Sequence, residues 1–120
     1  MARILIVDDA KFMRLTLTNI LKKAAHEVVG EADNGEKAVQ LYRQLKPDLV
    51  TMDITMPEMS GIEAVRQIKS EFSDAIIIMC SAMGQQKMVV EAIESGAKDF
   101  IAKPFDEHRV IDAINRVLKL

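Results

Sequence analysis

The 120-residue sequence predicts an α/β domain, a parallel sheet of five strands with helices packed on both faces. Two observations predict it. Short apolar runs alternate regularly with stretches whose apolar residues recur at helical spacing, and such alternation implies right-handed crossovers between parallel strands. The runs are also apolar at successive positions rather than every second one, as a strand covered from both sides requires.

The first run, Ile4-Leu5-Ile6-Val7, is apolar on both faces. A helix follows from Ala10 to Ala25, with Met13, Leu17, Ile20, Leu21 and Ala24 on one stripe. Glu27 to Ala32 reads as a weaker, partly polar strand suited to a sheet edge. Glu36 to Leu45 reads as a helix that Pro47 stops. Asp48 to Met52 is the third strand, and Pro57 and Gly61 punctuate a loop before a helix carrying Ile62, Val65 and Ile68. Ala75 to Cys80 is the fourth and most apolar strand. Gln86 to Glu94 is a helix with Met88, Val89, Ala92 and Ile93 on one stripe, closed by Gly96. Asp99 to Ala102 is the fifth strand. The last helix carries Val110, Ala113, Ile114, Val117 and Leu118 at i, i+3, i+4, i+7 and i+8. Residues 1–120 are read as one domain, with no repeat, linker or low-complexity tract.

Composition narrows the function. With 49% hydrophobic and 28% charged residues the chain has ordinary globular usage, enough for a core without disulfides. A net charge of −2 gives no electrostatic footprint for nucleic acid or an anionic membrane. The single cysteine, Cys80, lies in an apolar run and is read as a packed thiol in a reducing compartment. His26 and His108 show no ligand spacing. No signal peptide and no membrane span are expected, so the expected location is the cytoplasm.

In open α/β sheets ligands bind beyond the carboxyl ends of the strands, so the residues standing there carry the functional argument. The first strand ends in Asp8-Asp9, the third in Asp53, the fourth in Ser81 and the fifth in Lys103-Pro104. Taken singly, Asp8 or Asp9 reads as a helix cap, Ser81 as a turn residue and Lys103 as a solvated loop charge. Asp53 is harder to dismiss, because Met52 and Ile54 flank it and an unpaired buried carboxylate is costly. Together, the carboxylates repel one another unless a cation relieves them, and oxygen ligands favour a hard divalent ion such as Mg²⁺. A cation, the Lys103 ammonium and the Ser81 hydroxyl suit three phosphoryl oxygens, and a carboxylate can serve as the nucleophile. Asp53, alone on the central strand, is the candidate.

The chain resembles the receiver domains of response regulators, in particular the CheY-type single-domain chemotaxis regulators. The resemblance rests on ILIVDDA at 4–10, DLVTMDITMPEMSGIEA at 48–64, MCSAMGQQ at 79–86 and GAKDFIAKPF at 96–105. It implies a flavodoxin-like, doubly wound sheet of order 2-1-3-4-5 with five helices. It also implies Asp53 as the residue phosphorylated by a histidine kinase, with Lys103 and Ser81 contacting the phosphoryl group. The implied metal set for Mg²⁺ is Asp9 directly, Asp8 through water, Asp53, and the backbone carbonyl of Thr55. The Lys103–Pro104 bond is expected to be cis. Ser81 and Phe100 occupy the two switch positions, and Phe100 has no ring hydroxyl to offer a partner. Thr55 and Met83 stand where the family tunes dephosphorylation. Neither supplies a carboxylate or amide to orient water, so self-dephosphorylation is expected to be slow to moderate.

The implied output surface is the fourth helix, fifth strand and fifth helix. The implied partners are a histidine kinase and a flagellar motor switch protein or a phosphatase, acting on a monomer. Met79, Met83 and Met88 are read as gap-filling core residues rather than an adaptable partner surface. The alternative role is a stand-alone phosphorelay intermediate that passes phosphate to a histidine phosphotransferase. An aspartyl-phosphate hydrolase would want a second carboxylate two residues past its nucleophile, where Thr55 stands. An FMN binder would not place Asp8-Asp9 where the phosphate loop belongs.

Overall fold

The computed structural model describes residues 1–82 and 86–120. Its elements run β1 (Arg3–Val7), α1 (Lys11–Lys23), β2 (Glu27–Ala32), α2 (Gly35–Leu45), β3 (Leu49–Asp53), α3 (Gly61–Glu71), β4 (Ile77–Ser81), α4 (Gln86–Glu94), β5 (Asp99–Ala102) and α5 (Glu107–Leu118). All pairings are parallel, in the order β2-β1-β3-β4-β5. This is the expected order, with β3 in the centre.

The two-sided apolar runs are divided by strand alternation between two cores. Leu5, Val7, Val50, Met52, Ile77 and Met79 pack with residues of α2, α3 and α4 on one face. Ile4, Ile6, Leu49, Ile78 and Ile101 pack with residues of α1 and α5 on the other. The central strand β3 is buried along its whole length, whereas β2 is only partly buried, as its mixed composition requires of an edge.

Helix ends depart by a residue or two from the sequence reading, for local reasons. Ala10 is the N-cap of α1 rather than its first residue, and no side chain caps this helix. Asp8 therefore does not act as the helix cap: its Oδ1 accepts the Ala10 N–H at 2.9 Å and turns the loop instead. Helix α2 starts at Gly35 because the Asn34 side chain accepts the Lys37 N–H. It ends at Leu45, and its C-cap Lys46, in a left-handed conformation with φ 43°, stands directly before Pro47. Gly96, at φ 121°, follows α4 in a conformation that side-chain-bearing residues rarely adopt.

The methionine expectation divides. Met79 is fully buried, as a core residue should be, but Met88 is 43% exposed. Ile93 on the same helix is also exposed, so only Ala92 of the α4 stripe is fully buried. The helix is narrow in its contact with the sheet, and Ala92 brings it close. Met83 lies outside the described residues.

His26, between α1 and β2, is buried with a structural role. Its Nδ1 accepts the Ala2 N–H at 3.0 Å, which requires that nitrogen to be unprotonated. Burial, aided by the amino-terminal ammonium, holds its pKa below the ordinary 6.5. A lowered pKa means stability that is present above about pH 6.5 and lost as pH falls through the folded value. In an NMR titration His26 is expected to protonate below 6.5 with the Ala2 amide shift following it, and a midpoint at or above 6.5 contradicts this account.

Candidate functional site

The parallel sheet aligns its carboxyl ends, and the last residue of β3 with the loops leaving β1 and β5 brings four charged side chains together. Carboxylate oxygens of Asp8, Asp9 and Asp53 lie within 4.8 Å of one another. Lys103 Nζ stands 2.7 Å from Asp8 Oδ2 and 3.3 Å from Asp53 Oδ1. Asp8 and Asp53 are buried, while Asp9 is exposed. Three carboxylates against one ammonium leave the cluster short of positive charge.

The imbalance shows in the protonation equilibria. Burial first, and then the neighbouring Asp8 charge, push the Asp53 carboxyl up to about 6 against the pull of Lys103. Burial works against the Lys103 charge, but Asp8 and Asp53 outweigh it and hold the ammonium above its ordinary value. A hard cation coordinated by carboxylate oxygens would relieve Asp53, and the donor set fits such an ion.

Backbone contacts fix this geometry. The Asp8 N–H donates to the Ala32 carbonyl at 3.0 Å, and Lys103 N–H donates to the Ser81 carbonyl at 2.8 Å. The Lys103–Pro104 peptide is cis, as the resemblance implies. Two further residues hold the site, Arg14, which the sequence reading did not single out, and Gly61, which it read only as loop punctuation. Arg14 on α1 donates through Nη1 to the Asp8 carbonyl at 2.7 Å and through Nε to Glu31 at 2.9 Å. Gly61 opens α3 directly beneath the site: a Cβ there would lie 2.0 Å from the Asp53 carbonyl oxygen, so only glycine allows the approach. The Gly61 N–H donates to the Ile54 carbonyl at 2.8 Å. The sequence placed Gly61 at the start of this helix, but its approach to the Asp53 carbonyl emerges only from the fold.

The remaining predicted residues are placed less closely. Asp53 pairs in register with Cys80, so Ser81 stands one step further along β4. Strand alternation turns Ser81 toward the face of Ile77 and Met79, where it is buried. Thr55 is exposed in the loop leaving β3. Phe100 is 39% exposed on β5, three residues before Lys103. The Cys80 thiol is buried and pushed up to about 12 by burial, which leaves it inert.

The raised Asp53 pKa has a stability consequence. Its contribution is complete below the unfolded value of 3.8 and is lost as pH rises through about 6, so at neutral pH the carboxylate destabilises the metal-free fold. Asp53→Asn is expected to raise metal-free stability at pH 7.5 by roughly 2–3 kcal/mol. Urea unfolding should show the gain vanish near pH 4; unchanged or lower stability at pH 7.5 contradicts the electrostatic reading.

Comparison with known proteins identifies the family and the fold. The response regulator receiver domain family matches residues 4–115. The chain is 62% identical over 117 residues to a chemotaxis protein CheY of Thermotoga maritima, covering 98% of each chain. It is also 62% identical over 116 residues to a chemotaxis protein CheY of Bacillus subtilis, covering 97% of each. Among solved structures, a chain of the CheX-CheY-BeF3-Mg+2 complex from Borrelia burgdorferi superposes with a TM-score of 0.92 at 37% identity, covering 97% of this chain and 88% of that one. The shared fold, the family match across residues 4–115 and such identity place the chain in the response regulator receiver family, as a CheY-like chemotaxis receiver.

Proposed function

We propose that this receiver is a phospho-acceptor switch in which Asp53 takes a phosphoryl group from a histidine kinase and changes the chain's affinity for a chemotaxis partner. The observation that carries the reading is Asp53 itself, buried at the end of the central strand with Asp8, Asp9 and Lys103 around it. In the transfer, a carboxylate oxygen of Asp53 bonds to phosphorus while the phosphorus–nitrogen bond of the kinase phosphohistidine breaks, its electron pair returning to the imidazole. Lys103, already within reach of Asp8 and Asp53, offsets charge on the phosphoryl oxygens and orients them. Asp8, Asp9, Asp53 and the Thr55 carbonyl would hold Mg²⁺, which when bound supplies charge neutralisation at the phosphoryl group. The presence of both BeF3 and Mg+2 in the Borrelia complex supports this assignment.

The proposed output runs through Ser81 and Phe100. The Ser81 hydroxyl moves to donate to the phosphoryl group, and the Phe100 ring, now outward, turns in. Phosphorylation adds roughly 1.5 to 2 negative charges, and moving a two-state element from 1:99 to 99:1 takes about 5.5 kcal/mol of differential stabilisation. A few charge-assisted hydrogen bonds have that capacity. The surface formed by α4, β5 and α5, with Val90, Ile93 and Phe100 exposed, would then present a changed face to a flagellar motor switch protein or a phosphatase.

Beryllofluoride, a stable mimic of the acyl phosphate, tests this directly. With Mg²⁺ it is expected to shift backbone amides around Asp53 and across α4, β5 and α5, and the shifts should vanish without Mg²⁺ and in Asp53→Ala. A well-folded wild-type protein that binds no beryllofluoride would remove the proposal and leave the fold alone standing.

A further inference from the structure

The edge strand β5 is tied to α5 by contacts that the acidic cluster does not use. Its one neighbour in the sheet is β4, so the other edge is open. At Phe100 both backbone groups are met by side chains instead of a strand. The Phe100 N–H donates to Asp99 Oδ1 at 2.7 Å, and the Phe100 carbonyl accepts from Arg109 Nη2 at 2.8 Å. That same guanidinium nitrogen stands 3.3 Å from Asp99 Oδ1, which closes the set between strand and helix. An open edge normally exposes its N–H and C=O groups; here they are occupied at the residue whose ring is proposed to switch.

The set leaves one buried atom unsatisfied on each partner. Asp99 Oδ2 is buried and has Arg116 Nη1 at 3.8 Å but no hydrogen bond. Among the described residues, buried Arg109 Nη1 has no hydrogen-bond partner. The pair is only partly buried, with 35% of the Arg109 side chain and 15% of the Asp99 side chain exposed, so it is a weak stabiliser whose unsatisfied buried atoms favour one arrangement more than they strengthen it. The strand itself has only four residues. Its carboxyl end leads straight into Lys103, bound to Asp8 and Asp53, so β5 is held at the acidic cluster and again at Phe100.

We infer that Arg109 is a positioning residue for the switch: with Asp99 it latches the Phe100 backbone to α5 in the resting arrangement and opposes the change driven from Asp53. The inference rests on the reading of Asp53 as phosphoryl acceptor and Phe100 as the moving ring. A latch on the resting state consumes part of the binding energy of any ligand that favours the other state.

Arg109→Met keeps the aliphatic stem and removes the donors. With Mg²⁺ present, it is expected to bind beryllofluoride about three- to ten-fold more tightly than wild type. Its free form should show Phe100 ring NMR signals displaced toward those of the beryllofluoride-bound protein. Arg109→Lys, which retains a donor for the Phe100 carbonyl, should return toward wild type, and Asp99→Asn should shift the same way as Arg109→Met by less. A variant with lowered melting temperature, a folded amide spectrum, unchanged affinity and unmoved ring signals overturns the latch and leaves Arg109 a merely structural residue. If wild type itself fails to bind, the acceptor reading falls. The latch falls with it, whereas a wild type that binds beside an Arg109→Met variant of unchanged affinity and unmoved ring signals overturns the latch alone.

Discussion

The ammonium of Lys103, set between Asp8 and Asp53, is the interaction on which the rest of the site depends. It is one positive charge among three carboxylates, two of them buried. Burial first, and then that shortfall, explain why Asp53, on a strand buried along its whole length, is held near 6 rather than in the usual carboxylate range. A stable core alone would have placed an apolar residue there. The fold keeps a buried acid instead, and in the proposed function the chemistry that relieves it is a cation and an electrophile.

The parallel sheet is what makes such a cluster possible. Side chains from β1, β3 and β5 that are far apart in sequence meet because every strand delivers its carboxyl end to the same edge. The apolar faces then fix the register: slipping a strand by one residue would exchange its two cores. Gly61 and Arg14 refine the placement, one by letting α3 approach the Asp53 carbonyl and the other by holding the Asp8 carbonyl.

Much of this was legible in the sequence because its causes are local or periodic. Runs such as Ile4–Val7 and Ile76–Cys80 declare two-sided strands, and the acids and lysine at their ends follow from where such strands stop. What was not legible depends on distances between elements. Met88 has the spacing of a core residue, yet Ala92 carries the contact and leaves it exposed. Arg109 and Asp99 are ten residues apart on different elements, so their joint hold on Phe100 has no signature in one sequence. Ser81 was rightly placed at a strand end, but its register one step beyond Asp53 emerges only from the pairing of β3 with β4.

The account makes Asp53, among the clustered acids, the atom-bearing site of phosphorylation. The most direct measurement is to treat the protein with acetyl phosphate and Mg²⁺, reduce any acyl phosphate with borohydride, and locate the resulting homoserine by peptide mass spectrometry. The account predicts homoserine at position 53 alone and none when Mg²⁺ is omitted. Reduction at Asp8 or Asp9, or no reduction anywhere in folded protein, would contradict it.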